Sequence, residues 1–445
     1  MLRFSLPAIT GMVVNALYNV VDRIFVGRAV GETALGGLAL VMPLMTVIMA
    51  FAVLFGIGAA NMISMRLGQQ RRDSAEGALN NCFWLLLASG LLLTALGLIF
   101  LDPLLLMLGA PEGSESLVHA RSFMRIFLCG AVFFTMGLGL AHCIRAQGFP
   151  TITMAGLLLG AALNVCLVPF FLFVLRMGVE GAALGTVIAQ AASTVFMLFC
   201  CFSRRMVLRL RPLSVRPSVG TAVQIVSFGS AQFLLQFAMS FVMVIYNFSM
   251  SSYGSAELGV QGGGDVALSG MNIVNSVSML ILMPIFGIAQ GAQPILGYNY
   301  GAQRFGRVMG VYKRAVLAAT GVACAGFLLL HVLPDQIVGM FAPEGSPALL
   351  GFTPFAMRVA TAAMPIIGFQ IISANMFVVT GRPKASVILS MMRQVILLVP
   401  FIIAFGRIWG LNGVIAAAPA ADAISAILTA AMIAVEMRKL KAASR

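Results

Sequence analysis

Residues 4–27 read FSLPAITGMVVNALYNVVDRIFVG, an apolar run of membrane-spanning length that carries Asn15, Asn19 and Asp22 at positions i, i+4 and i+7. At about 100° per residue the three share one helix face within roughly 60°. Tyr18 flanks them. A carboxylate near the centre of a bilayer-spanning helix costs on the order of 3 kcal/mol, so it faces a cavity or a bundle interior and is kept for a task. The stripe therefore reads as the place where an ion or proton is taken up and released. The purely structural alternative pairs Asp22 with Arg23 or Arg28 at the interface, because it lies about five residues, or roughly 7–8 Å, from the outer end of its segment.

The remaining sequence has the same character. Of 445 residues 60% are hydrophobic and 9% charged, with a mean hydropathy of +1.01, which leaves too little polar surface for a soluble core. The fold class is an all-α integral membrane protein. Apolar segments of the length a bilayer requires fall at about 4–27, 34–63, 78–101, 122–144, 151–175, 181–202, 222–251, 267–298, 311–333, 354–380, 385–406 and 411–435. The first of them runs on with no small-residue cleavage site, so no removable signal peptide is predicted. Gly156 with Gly160 and Gly181 with Gly185 have the small-xxx-small spacing of helix contact surfaces. No GxxxxGK[ST] motif occurs, which excludes a P-loop ATPase. The seven cysteines lie almost all in apolar runs without a CxxC pair or a histidine at ligand spacing, and read as buried small hydrophobes rather than metal ligands.

Charge sets an orientation. Only Arg23, Arg28, Arg121, Arg125, Arg176, Arg358 and Arg407, seven of the 28 lysines and arginines, lie toward one side, where most carboxylates also gather. The other 21 lie toward the opposite side, which makes that side cytoplasmic and places both termini there. The stretch 203–217 reads as a solvated basic strap at the lipid surface. The +14 net charge is spread through short loops, which argues against nucleic-acid binding.

The chain also repeats itself. A shift of 232 to 233 residues lays Ala110 to Ser114 on Ala342 to Ser346 without a mismatch, and superposes Gly58 on Gly291, Gly68 on Gly301, Arg125 on Arg358, Gly148 on Gly381 and Gly178 on Gly410. Six spans per copy give a parallel repeat, two six-helix lobes with a pseudo-two-fold along the membrane normal. The domains follow: an N-lobe 1–202, a basic linker 203–221 and a C-lobe 222–445. Two such bundles rocking about a central site is the geometry of alternating access. The second copy carries about eleven extra residues in a glycine-rich stretch, 253–265, read as a flexible outer loop. Its counterpart of the opening segment holds Gln232, Gln236 and Asn247, candidate cavity residues, but no acid.

Pro7, Asn15, Tyr18, Asn19, Asp22 and Gly27 together resemble the opening helix of the multidrug and toxic compound extrusion (MATE) family. Gln290 to Pro294, Tyr298 to Gly301, Gly381 to Pro383, Arg393, Gln394, Pro419 and Asp422 resemble its bacterial MepA-like branch. The resemblance covers essentially the whole chain. It implies two six-helix lobes around a cavity and export of lipophilic, often cationic small molecules in exchange for protons or sodium ions, with no enzymatic chemistry and no cofactor, by a protein that needs no partner to form its pathway. It also implies an ion-coupling site of Asp22 with Asn164 and Thr186. Where relatives carry an acid four residues after the amide, this chain has Val168 before Pro169. A hard cation wants several oxygen ligands, whereas one desolvated aspartate serves a proton, so protons are preferred to sodium.

Arg393 and Asp422 are each about ten residues deep in the last two segments, counted from opposite faces, and read as a mid-membrane ion pair in preference to a role in handling substrate or protons. His142 reads as a polar packing residue. A flippase for lipid-linked precursors is the alternative function, but it would need several arginines facing a cavity, and mid-span arginine is nearly confined to Arg393.

Overall fold

The computed structural model describes residues 4–14, 25, 32–108, 115–203, 206–211, 217–259, 263–341 and 346–443, and every regular element among them is helical. The first half of the chain contributes α1 (Phe4–Val14), α2 (Glu32–Gly68), α3 (Arg72–Ile99), a short α4 (Leu101–Met107), α5 (Glu115–Cys129), α6 (Ala131–Ala146), α7 (Pro150–Pro169) and α8 (Gly178–Phe202). The second half contributes α9 (Val219–Glu257), α10 (Gly263–Gly301), α11 (Phe305–Val332), a short α12 (Pro334–Phe341), α13 (Pro347–Ala360), α14 (Met364–Val379), α15 (Pro383–Met391) and α16 (Leu398–Ala443). Each of the twelve expected segments meets a helix. The fourth and tenth are bent pairs, with 57° between α5 and α6 and 46° between α13 and α14. The last two are separated inside α16 at Gly410, whose φ of 56° and ψ of −134° no helix accommodates.

The repeat is present in backbone conformation as well as in residue identity. Left-handed φ recurs at Gln70 and Gln303 (60° and 57°), at Gly148 and Gly381 (97° and 75°) and at Gly178 and Gly410 (63° and 56°). Gly148 and Gly381 stop a helix without the steric penalty of a Cβ. Two residues on, Pro150 and Pro383 open the next helix at its first position, where a missing N–H costs nothing. The short helices are also tied alike. Asp102 of α4 pairs with Arg121 of α5 at 2.7 Å, and Asp335 of α12 pairs with Arg358 of α13 at 3.9 Å.

Two expectations are corrected. The first concerns the basic strap, which is docked rather than solvated along residues 206–211. Met206, Leu208 and Leu210 are buried while Val207 and Arg211 face outward, the period-two pattern of an extended chain with one side against a core. Three side-chain amides receive it: the Leu208 N–H donates to Gln147 Oε1 (3.0 Å), the Arg211 N–H to Asn80 Oδ1 (2.7 Å) and the Ser218 N–H to Asn81 Oδ1 (2.8 Å). The second is the glycine-rich loop 253–265, most of which is helical, with α9 running to Glu257 and α10 starting at Gly263. A Cβ on Gly254 would sit 2.6 Å from the Ala267 Cβ, and one on Gly264 would sit 2.6 Å from the Ser251 carbonyl oxygen. Glycine here admits close helix contact.

The chain forms two compact units, Leu2–Gln236 with Gly297–Gln303 and Phe237–Leu296 with Arg304–Arg445. Within the first unit, α2 is gripped through glycine. A Cβ on Gly58 would lie 2.1 Å from the Ile225 carbonyl oxygen, and one on Gly229 would lie 1.8 Å from that of Leu54. At the other grip a Cβ on Gly68 would meet the Tyr298 oxygen at 2.0 Å and one on Gly301 the Met65 oxygen at 2.0 Å. Within the second unit the carboxylate of Glu257 accepts the Leu411 N–H at 3.0 Å, closing the break at Gly410.

Candidate functional site

In the first unit the amide and hydroxyl predicted for the ion site are brought together. The side-chain N–H of Asn164 on α7 donates to Thr186 Oγ1 on α8 at 3.1 Å, and both residues are buried. Small residues on the facing helices allow the approach: Gly160 lies against Ser193, and the Ser193 hydroxyl donates to the Gly156 carbonyl at 2.8 Å. One turn beyond Asn164, Val168 is completely buried, and a Cβ on Gly185 would come within 2.9 Å of its Cγ2. The position lacking the acid is thus a packed apolar wall. Immediately after Pro169 the helix widens into a π-helical turn, Phe170–Val174, a device common near functional sites. Asn15, Tyr18, Asn19 and Asp22 lie outside the described residues.

The second unit holds a corresponding cross-helix pair. Arg393 Nε stands 2.6 Å from Asp422 Oδ1, with the arginine side chain 30% and the aspartate side chain 12% exposed. Arg393 projects from a second π-helical turn, Met392–Leu397, which follows α15. The pairing bridges this turn to α16, as the sequence positions predict. Sequence reasoning missed Gln370 on α14, whose Nε2 donates to the Asp422 carbonyl at 2.8 Å and whose Oε1 has no partner among the described residues. The available signal is a glutamine in a mostly apolar helix that also carries Ser373 and Asn375. Of the other candidates, Gln232 and Gln236 are half-buried in the first unit, and Asn247 is exposed in the second. His142 is buried against Gly56, as a packing residue would be. Among the described residues no cluster of metal-ligating side chains occurs.

The family model for MatE matches residues 7–170 and 231–403, most of both halves. The chain belongs to the MatE family. A MatE protein is a multi-pass membrane transporter of small molecules, not an enzyme, and needs no cofactor as such. The MatE chain is 25% identical over 435 residues to the multidrug export protein MepA of Staphylococcus aureus (strain N315), covering 98% of this chain and 92% of the relative. It is similar to the crystal structure of MATE in the bent conformation, with a TM-score of 0.91 and 25% identity over 100% of this chain and 96% of that one. A multidrug resistance MATE family transporter of the MOP superfamily in its outward-facing conformation matches with a TM-score of 0.90 and 25% identity, over 99% and 96% of the two chains.

Proposed function

We propose that this MatE transporter exports lipophilic, cationic compounds by alternating access in antiport, and that protons rather than sodium ions drive it. The multidrug export proteins and transporters among its relatives support the first part. The observation that carries the second is the buried Val168 beside the Asn164–Thr186 bond. Among the described residues that neighbourhood offers an amide carbonyl and a hydroxyl but no carboxylate to join Asp22. A hard cation would lack charge compensation and ligands there, while a single acid suffices to carry a proton. Asp22 is the acid in this reading, with Asn15, Tyr18 and Asn19 on its face. The lobes 1–202 and 222–445 are the moving halves, the basic side is cytoplasmic in a bacterial inner membrane, and one chain is the functional unit. Arg393 and Asp422 act as a structural tie.

The test is uptake of a fluorescent lipophilic cation into inside-out proteoliposomes under a proton or a sodium gradient, for wild type and Asp22→Asn. Uptake driven by protons alone and lost in the folded variant is the expected result. Uptake driven by sodium would overturn the coupling, and unimpaired uptake by the variant would overturn the role of Asp22.

A further inference from the structure

On the second unit a groove of about 270 Å³ runs between α9 and the first part of α16. Its lower wall is apolar, with Ile245, Phe248 and Ile403, and Phe248 is 77% exposed. Its upper end is polar. Ser252, Tyr253 and Arg407 meet there, at the ends of helices that emerge on the side away from the basic loops. The Tyr253 ring lies against Gly406, where a Cβ would approach it to 2.9 Å, so the tyrosine and Arg407 stand at one level.

Arg121 and Arg358 on the same side are each paired with an aspartate, whereas Arg407, like Arg125 and Arg176, is in none of the ion pairs among the described residues, and of these three Arg407 alone borders the groove. No carboxylate among the described residues lies within 4.0 Å of Arg407. Glu257, the acid at this end of α9, accepts the Leu411 N–H instead. Trp409, two residues on and 56% exposed, is a side chain typical of the membrane interface. An uncompensated guanidinium with hydroxyl donors beside it, at headgroup level above an exposed apolar slot, matches a phosphodiester with part of an acyl chain beneath it.

We propose that this groove binds one anionic diacyl phospholipid from the leaflet opposite the basic loops. The upper part of one acyl chain lies along Ile245, Phe248 and Ile403 while the rest of the lipid stays in the bilayer, and the phosphodiester sits at Arg407 with Ser252 and Tyr253 donating. A zwitterionic lipid is disfavoured, because its own cation would sit beside the guanidinium. The inference depends on the chain being a membrane protein and not on which ion drives transport, so its test reads lipid binding alone.

The delipidated protein is titrated with phosphatidylglycerol or phosphatidylcholine of matched chains, and the first bound lipid is quantified by native mass spectrometry. One interfacial basic residue is worth roughly a fivefold change in anionic-lipid binding, so wild type should prefer phosphatidylglycerol by about that factor and Arg407→Gln should lose the preference. Arg358→Gln, which removes an arginine already paired, should keep it. Ser249→Trp, which fills the slot while leaving Arg407 in place, should lose the first lipid of either kind. Retention of the preference by Arg407→Gln, or its loss in Arg358→Gln to the same degree, would overturn the proposal. Should Ser249→Trp not fold, the two arginine variants decide the matter by themselves.

Discussion

Asn164 and Thr186 hold each other across α7 and α8 through an N–H···O bond of 3.1 Å that is almost wholly shielded. Removing the hydroxyl leaves a buried amide donor without its acceptor, at a cost of about 1–3 kcal/mol. Thr186→Val is therefore expected to lower the thermal unfolding midpoint in detergent and to weaken gradient-driven uptake, while Thr186→Ser, which keeps the acceptor, restores both. Equal behaviour of the valine and serine variants would show that the bond matters to neither.

Arg393 and Asp422 face each other at 2.6 Å, largely out of contact with the exterior. Deleting one partner leaves a charge unpaired, an effect of about 3–5 kcal/mol, whereas replacing both by apolar residues of similar size is close to neutral. Arg393→Met and Asp422→Leu should each destabilise the protein, and the double variant should recover stability together with transport. A stable double variant that does not transport would make the pair a working part of the cycle.

Gly410 cannot be replaced cheaply. It has a left-handed φ, and a Cβ there would fall 1.5 Å from Glu257 Oε1. Gly410→Ala is expected to displace the carboxylate from the Leu411 N–H and to cost at least about 1 kcal/mol, the scale of a lost helix cap plus backbone strain. Glu257→Gln, which retains an acceptor oxygen, should be much milder than Glu257→Ala in the same unfolding measurement.

The docked strap gives a proteolytic prediction. Asn80, Asn81 and Gln147 hold its backbone N–H groups, and Arg211 also pairs with Glu76 at 3.4 Å. Asn80→Leu combined with Gln147→Leu should loosen residues 206–211, so that trypsin cuts after Arg209 or Arg211 up to about 30-fold faster, the factor that corresponds to the loss of two hydrogen bonds of about 1 kcal/mol each. An unchanged cleavage rate would mean that the other ties, namely burial of Leu208 and Leu210, the Arg211–Glu76 pair and the bond from Arg72 to the Val207 carbonyl, secure the segment without these amides.

Much of this architecture was legible from residues alone, because in a bilayer hydropathy and helix formation are nearly one constraint. The spans, the repeat and the facing of Arg393 toward Asp422 followed from counting residues along helices of known rise. Other features were hidden by the limits of that counting. Five arginines between 204 and 216 dominate the strap's sequence and mask the alternation of Met206, Leu208 and Leu210, which says that one side is buried. Glycines near 260 suggest freedom of the backbone, while Gly254 and Gly264 serve proximity instead. Gln370 is one of three polar side chains on α14, with Ser373 and Asn375, and such an amide declares its partner only when the fold brings the Asp422 carbonyl to it. The two π-helical turns have no sequence signature of their own.

The grip at Gly68 and Gly301 carries a historical implication. Gly68 touches Tyr298 and Gly301 touches Met65, and under the repeat offset Gly301 is the counterpart of Gly68 and Tyr298 the counterpart of Met65. Each copy of the patch thus meets its own duplicate, which is the definition of an isologous contact in a two-fold homodimer. The geometry is what two identical half-length chains would form on pairing in a shared orientation, before fusion into one gene. In such a homodimer one substitution at the glycine would alter the interface twice, whereas in the single chain Met65 and Tyr298 differ while both contacts, made through their backbone oxygens, are kept.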